Sequence, residues 1–451
     1  MPASNCSYGL RELLWKVLKR NTKRIDQSSG NEITEMESVT KKDRISNLPW
    51  DVLDGILVRL PLKEVVRTSI LSRWWRHKWT GISQFVIDDK CIPSRISDKV
   101  ARWELIMEIL RQVQLHHTGP IEKFKLAAYC RPDHSDLDQW IHYLTDKGLK
   151  EFILQEFDTI KRFNLPFCLF SCPLLNRLEL FGCRIKPSSE AIGFKSLTNL
   201  HLNEVCVTGG TLECLVLNSP VLERLTLLNI DHQIVLRIGN ANLKYLKVDS
   251  NFDDIYLENS PSLASVDIGL RVRVIPRSFG SEGGNLIRVI GCLHAIKKLT
   301  LSSAILAFLG NIDVPDKLPT LLPHLSVLEL KDVRLDSLIE LLVCVCIFRS
   351  APNLEELHLS VAADTTEYSR PAADFLITKL SNHYFEQLKV AKIRAVQNVQ
   401  NETIFIQLLL AQSPVLKRMT IVHYGSKILP TEVLEQSVPA SKDVEIFNLS
   451  V

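Results

Sequence analysis

No run of apolar residues in this chain is long enough to cross a bilayer. The longest, Leu341 to Phe348, falls far short of the ~20 residues that a spanning helix needs. Charge of one sign is missing as well. The 54 Lys and Arg face 51 Asp and Glu, and the formal net charge of +3 is too small to argue for nucleic acid by itself. Eleven cysteines form an odd set scattered along a chain without a secretory signal. That pattern predicts reduced thiols in the cytoplasm or nucleus, not a disulfide framework. Catalytic signatures are lacking: there is no zinc-type histidine pair, no Gly-x-Ser-x-Gly and no phosphate-binding Gly-Lys-Ser/Thr loop. Cys168 and Cys172 lack two further ligands at zinc spacing. Cys344 and Cys346 alternate with apolar residues, as core side chains do. His116-His117, ahead of Gly119-Pro120, reads as a turn. The expectation is a non-catalytic protein with no metal, cofactor, nucleic acid or membrane among its partners.

What is present is a repeat. At 451 residues the chain exceeds one ordinary core, so several domains or an array are expected. The template Leu-x-x-Leu-x-Leu, with other apolar residues allowed, recurs from residue 120 onward. It falls at Ile121/Phe124/Leu126, Leu149/Phe152/Leu154, Leu175/Leu178/Leu180, Leu197/Leu200/Leu202, Leu222/Leu225/Leu227 and Leu243/Leu246/Val248. It continues at Leu263/Val266/Ile268, Ile296/Leu299/Leu301, Leu325/Leu328/Leu330, Leu354/Leu357/Leu359, Leu388/Ala391/Ile393 and Leu416/Met419/Ile421. The last two apolar positions of each repeat share one face of a short strand. Such strands bury that face only by stacking, so the fold class expected is α/β: a leucine-rich repeat solenoid, with a parallel sheet on its concave face and helices on its convex face. Pro173, Pro220, Pro261, Pro323, Pro352 and Pro414 stand two residues before a template, where they would end a helix and send the chain into a strand. The glycine-bearing stretch from Gly269 to Asn285 would form a loop.

Residues 1–42 are polar and read as a flexible extension. Their stripe Leu10, Leu13, Leu14, Val17 and Leu18 suits a short helix. A membrane-surface helix or a transit peptide is the alternative, weakened by Glu12, Asp26 and the acidic run from Glu32 to Glu37. Residues 43–82 hold short helical signals. Pro49 and Asp51 open a helix whose face carries Val52, Leu53, Ile56, Leu57 and Leu60, and Pro61 stops it. A second helix fits Lys63 to Leu71, and Ser72 caps a third that holds Trp74, Trp75 and Trp79. Three tryptophans in six residues exceed what so small a core can bury. Either a partner covers this surface or the first repeats do.

Three segments of this block resemble the F-box of plant F-box/leucine-rich repeat proteins: Asp43-Arg44-Ile45-Ser46-Asn47-Leu48-Pro49, Val66-Arg67-Thr68-Ser69-Ile70-Leu71-Ser72-Arg73, and Trp75-Arg76…Trp79. Trp74 stands where that family commonly has lysine. Phe385 to Tyr424, most clearly Gln412-Ser413-Pro414-Val415-Leu416-Lys417-Arg418-Met419, resembles the FBD domain of the same family. The resemblance implies a three-helix F-box at 43–82, a solenoid at 120–384 and FBD-like C-terminal repeats and cap at 385–451. It further implies a non-catalytic subunit that binds a Skp-family adaptor, and through it a cullin, within an SCF-type ubiquitin ligase. The adaptor-facing residues implied are Leu48, Pro49, Leu53, Ile56, Leu57, Leu60, Leu71, Trp75 and Trp79.

The concave face would hold a target protein of unknown identity. Its outward strand positions include Arg177, Glu179, Arg224, Tyr245, Lys247, Lys298, Lys331, Glu356, His358, Lys392, Arg394 and Arg418. Cations dominate the last two strands, which suits an acidic or phosphorylated target segment. An ordinary solvated face is the alternative at any single position. Two other functions stay open: a small-ligand sensor, which needs a convergent basic pocket, and an interaction scaffold that never reaches a ligase.

Overall fold

The computed structural model describes residues 45, 48–94, 96–128, 134–155, 162–186, 193–230, 235–271, 286–311, 313–362, 369–380, 385–396, 400–423 and 439–450. The extension at 1–42 and most of the expected loop after Gly269 lie outside them. The chain divides into two compact units, Met1–Cys206 and Val207–Val451. The division falls inside the 120–384 segment expected to be one solenoid.

The first unit opens with α1 (Trp50–Leu57), α2 (Leu62–Arg67) and 3-10 turns at Thr68–Ile70 and Trp75–Gly81. The strands of the main sheet follow: β1 (Gln84–Asp88), β2 (Lys123–Ala127), β3 (Glu151–Gln155), β4 (Arg177–Phe181) and β5 (Asn199–Asn203). They pair in chain order, all parallel, with α3 (Lys99–His116) and α4 (His134–Thr145) among the crossovers. The ladder therefore starts before residue 120. Its first strand carries Ile82, Phe85 and Ile87, all buried, at the same template spacing.

In the second unit nine strands pair parallel and in order: β6 (Arg224–Leu228), β7 (Tyr245–Asp249), β8 (Ser265–Gly269), β9 (Lys298–Ser302), β10 (Val327–Val333), β11 (Glu356–Val361), β12 (Val390–Val396), β13 (Arg418–His423) and β14 (Glu445–Ser450). The crossovers include α5 (Leu286–Ile290), α6 (Ser303–Leu309), α7 (Leu338–Ser350), α8 (Arg370–Lys379) and α9 (Gln400–Gln412). The FBD-like end thus extends the same ladder, and β14 is its outermost strand.

Every position of the twelve templates is at most 2% exposed. The middle and last apolar residues of each template point to the helix side of their strand, and the residues between them point to the open side. The prolines act in turns. Leu222 N donates to Ser219 O, and the same bond recurs at Leu263 to Ser260, Leu325 to Leu322, Leu354 to Ala351 and Leu416 to Ser413. That puts Pro220, Pro261, Pro323, Pro352 and Pro414 at the second turn position, where a fixed φ near −65° is already correct. Repeats are then tied together by shared carbonyls. Glu223 O accepts from the amides of both Lys244 and Tyr245, and Lys244 O accepts from Ala264 and Ser265. Helices α6 and α7 approach closely at Gly310, where an added Cβ would stand 2.6 Å from Ile339 Cγ2 and 2.8 Å from Ile339 O.

Candidate functional site

The N-terminal module is anchored to the first repeats. Residues Leu53 and Leu57, four apart on α1, are buried, as are Leu62, Val65 and Val66 of α2. The hydroxyl of Ser72 accepts from Trp75 N at 3.3 Å, opening the turn that turns Trp75 and Trp79 inward. Leu62, Val66 and Trp79 meet Cys91 and, from α3, Ile109 and Val113, around a void of only about 10 Å³. The Asp54 carboxylate accepts from Ser83 N at 3.0 Å and from Ser83 Oγ at 2.6 Å. The His116-His117 pair is not a free turn: His116 ends α3, and His117 is buried. His117 Nε2 donates to Ile82 O at 2.9 Å, and its ring edge meets Phe85 at 5.1 Å. Burial pushes the His117 pKa below its ordinary value, so the ring is neutral at physiological pH.

The nine residues implied to face an adaptor therefore separate into two groups. Leu53, Leu57, Trp75 and Trp79 are core; Trp79 is 3% exposed. Pro49, Ile56, Leu60 and Leu71 are exposed and Leu48 is half-buried. The implied adaptor-facing set left out five further exposed apolar residues: Ile45, Trp50, Val52, Ile70 and Trp74. Val52 and Ile56, four apart on α1, share one face, and Leu60 stands exposed just past the helix end. Ile70 and Leu71 are each 66% exposed. Trp50 lies over Gly81, where a Cβ would come within 2.9 Å of its ring. Lys78 Nζ sits 3.9 Å from the Trp74 ring centre and 5.4 Å from that of Trp50, close enough for cation–π attraction. Trp74 also meets Trp75 edge-on at 5.2 Å. The unusual tryptophan thus adds apolar surface without displacing the core.

The cations expected on the concave face all stand on the open side of their strands, but most already have partners. Arg177 Nε donates to Glu179 at 2.8 Å, and Arg224 lies over the Tyr245 ring at 4.1 Å. Lys247 and Lys331 share Asp267, at 3.4 and 3.2 Å. Lys298 pairs with Glu329 at 3.3 Å. Burial pushes the Glu329 carboxyl up, but Lys298, aided by Lys331 and His358, more than offsets this and holds its pKa below the ordinary value. His358 stands 3.5 Å from Glu356; burial lowers its pKa despite the two nearby carboxylates. Arg418 rests on Phe447 at 5.8 Å. Among the described residues, Lys392 and Arg394 have no carboxylate within ion-pair distance.

Among the described residues, two cavities on this side bear on ligand binding. One, in the first unit, of about 270 Å³, is lined by Leu154, Gln155, Glu179, Phe181, His201 and Asn203 among others. It lies where β3 and β4 part after the Ile153–Glu179 pair. The other, in the second unit, of about 220 Å³, includes Glu329, Lys331, Asp332, His358, Ser360 and Arg394. Each holds at least one carboxylate, so neither is a convergent basic pocket. Among the described residues no three His, Cys, Asp or Glu side chains group as metal ligands, and no helix is long and apolar enough to cross a membrane. The nine described cysteines are free. Burial pushes the Cys183 thiol up to about 12, and raises Cys344 as well, which suits packing and not reactivity.

Two family models match the chain: the F-box domain over residues 45–84, and the repeats described as "FBD-associated F-box protein At5g56370, LRR repeats" over residues 137–359. The F-box/FBD/LRR-repeat protein At1g13570 of Arabidopsis thaliana is 32% identical over 381 residues, covering 84% of this chain and 91% of that protein. F-box/FBD/LRR-repeat protein At1g78750 of the same plant is 24% identical over 87% of this chain and 92% of its own length. FBD-associated F-box protein At4g10400, also from Arabidopsis, is 26% identical over 72% of this chain and 79% of its own. With the exposed apolar face on its N-terminal helices and the parallel repeat ladder behind them, this chain belongs to the F-box/FBD/LRR-repeat family of plants.

Proposed function

We propose that this chain is the substrate-recognition subunit of an SCF-type ubiquitin ligase. F-box domains generally bind Skp1-type adaptors. In this reading Val52, Ile56, Leu60, Ile70 and Leu71, with Trp50 and Trp74 at the margin, meet a Skp-family adaptor that leads to a cullin, and the open face of the repeats holds a target protein. The observation that carries the reading is the division of the F-box. Its core is filled by Leu53, Leu57, Trp75 and Trp79, yet a second set of large apolar side chains remains exposed. Single exposed apolar residues are ordinary, but a set of this size on so small a module is typical of a covered surface. Nothing in this role requires catalysis by the chain itself, and the cytoplasm or nucleus is where it would act. A ligand sensor is disfavoured by the carboxylates in both open-face cavities. A scaffold that never reaches a ligase is disfavoured by Trp74, which enlarges the apolar face. The test is co-purification of the full chain with a Skp-family adaptor, followed by ubiquitination of captured proteins in a reconstituted ligase. Failure of the folded chain to hold the adaptor would overturn the proposal.

A further inference from the structure

We infer that the target is held at the C-terminal end of the open face by an extended segment in which an acidic residue and a large apolar residue stand three positions apart. This rests on the reading of the repeats as a target-binding surface and deepens it. Register decides which side chains adjoin one another there. Lys392 is level with Thr420 and Thr420 with Phe447; Arg394 is level with Val422 and Val422 with Leu449. Because parallel neighbours at one level point to one side, these six residues form two rows of three on the open face. At one end of the rows stand Lys392 and Arg394, which have no counter-ion among the described residues. At the other end, on the outermost strand, stand two exposed apolar side chains, Phe447 and Leu449.

Farther along this face Asp267 serves Lys247 and Lys331, and Glu329 serves Lys298, while Arg224 and Arg418 lie against the rings of Tyr245 and Phe447. An anionic group therefore gains most at Lys392 and Arg394, where forming an ion pair breaks none. The neighbouring 220 Å³ cavity is not its seat, since Glu329 and Asp332 line it and would repel it. The anion is directed instead toward β13, over Thr420 and Val422. Phe447 and Leu449 lie two strands from the cations, roughly 9.6 Å at ~4.8 Å per strand. A polyproline II segment repeats its face every three residues, about 9.3 Å. A chain lying across the strands in that form brings a carboxylate to Lys392 and Arg394 and an apolar side chain to Phe447 and Leu449 together. A β-strand does not fit: its same-face positions recur at about 6.7 or 13 Å.

The test uses the full chain co-purified with its adaptor and fluorescein-labelled peptides read by anisotropy. The probe is a peptide of two Glu-Pro-Pro-Leu units. Its controls are the same peptide with lysine for glutamate, and one of identical composition with glutamate and leucine two apart. The expected result is saturable binding of the probe, at least tenfold tighter than either control. Lys392→Glu with Arg394→Glu, and separately Phe447→Thr with Leu449→Thr, should each weaken it tenfold or more. Threonine keeps β propensity on the outer strand, and circular dichroism and adaptor capture verify that each variant is folded. Equal binding of the lysine peptide, no binding of the probe, or less than twofold change in both folded variants would overturn the inference. Retained adaptor capture in those samples shows that the ligase reading still stands.

Discussion

Replacing Ile70 and Leu71 together with alanine separates docking from folding. In the free chain both side chains are 66% exposed, so shortening them removes little that the fold already uses, and stability should change by less than ~0.5 kcal/mol. Adaptor binding is different. Each substitution deletes about three carbon groups, worth ~0.8 kcal/mol apiece when buried. If the adaptor covers the two thirds now open, the pair contributes about 3 kcal/mol, roughly a hundredfold in Kd. Trp79→Ala is the contrast. That ring is 3% exposed and packs on α3, so its loss should remove about 3–5 kcal/mol of stability. Any effect on binding would be secondary to unfolding of the module. The measurement is calorimetric titration with a purified Skp-family adaptor, paired with thermal melts of each variant. A double variant that binds within threefold of the parent would refute the assignment of the docking face. A Trp79→Ala chain with unchanged melting would refute the account of the core.

Other outcomes follow from the same geometry. Reversing Lys392, Arg394 and Arg418 to glutamate should leave the circular dichroism spectrum and adaptor binding intact while weakening target capture, since all three stand on the open side of their strands. Deleting 385–451 removes β12, β13 and β14 and uncovers the edge of β11 and its Leu357 and Leu359 layer. We expect a poorly soluble chain, judged by sedimentation, whose F-box still binds the adaptor. Gly310→Ala should lower stability by about 1–3 kcal/mol in denaturant titration, because the methyl group meets both the side chain and the backbone of Ile339. His117 is held neutral with a lowered pKa, so the unfolded chain takes up its proton first. Stability should therefore fall as pH drops below about 6.5 and on through the folded value. His117→Gln should flatten that part of a melting-temperature profile.

The repeat was legible because its signal is local. Three apolar positions inside six residues decide which face of one strand turns inward, and burial of all twelve templates follows that spacing. Where the ladder starts and stops was harder to read. Ile82, Phe85 and Ile87 fit the template but lie ahead of the 120–384 segment in which the repeat is expected. Strand β14 brings Asp443, Ile446 and Asn448 to the matching positions, because an outermost strand has less apolar neighbour to cover.

The F-box shows what the sequence determined and what it left to the tertiary structure. Helical spacing singled out the apolar residues of 48–79, and the motif resemblance pointed to their use. Neither could separate Leu53 and Leu57, which face inward, from Val52, Ile56 and Leu60, one residue away, because both sets repeat at four. Only tertiary packing, which buries Leu53 and Leu57, decides which set is core. The same holds on the open face. Strand alternation set its cations outward, but Asp267 and Glu329 are brought beside Lys247, Lys298 and Lys331 by strand register, Lys331 reaching a carboxylate 64 residues away in the chain. Spacing acts within one element, whereas burial and charge pairing are settled between elements, and that is why only the strand register distinguishes Lys392 and Arg394, without a carboxylate partner among the described residues, from their paired neighbours.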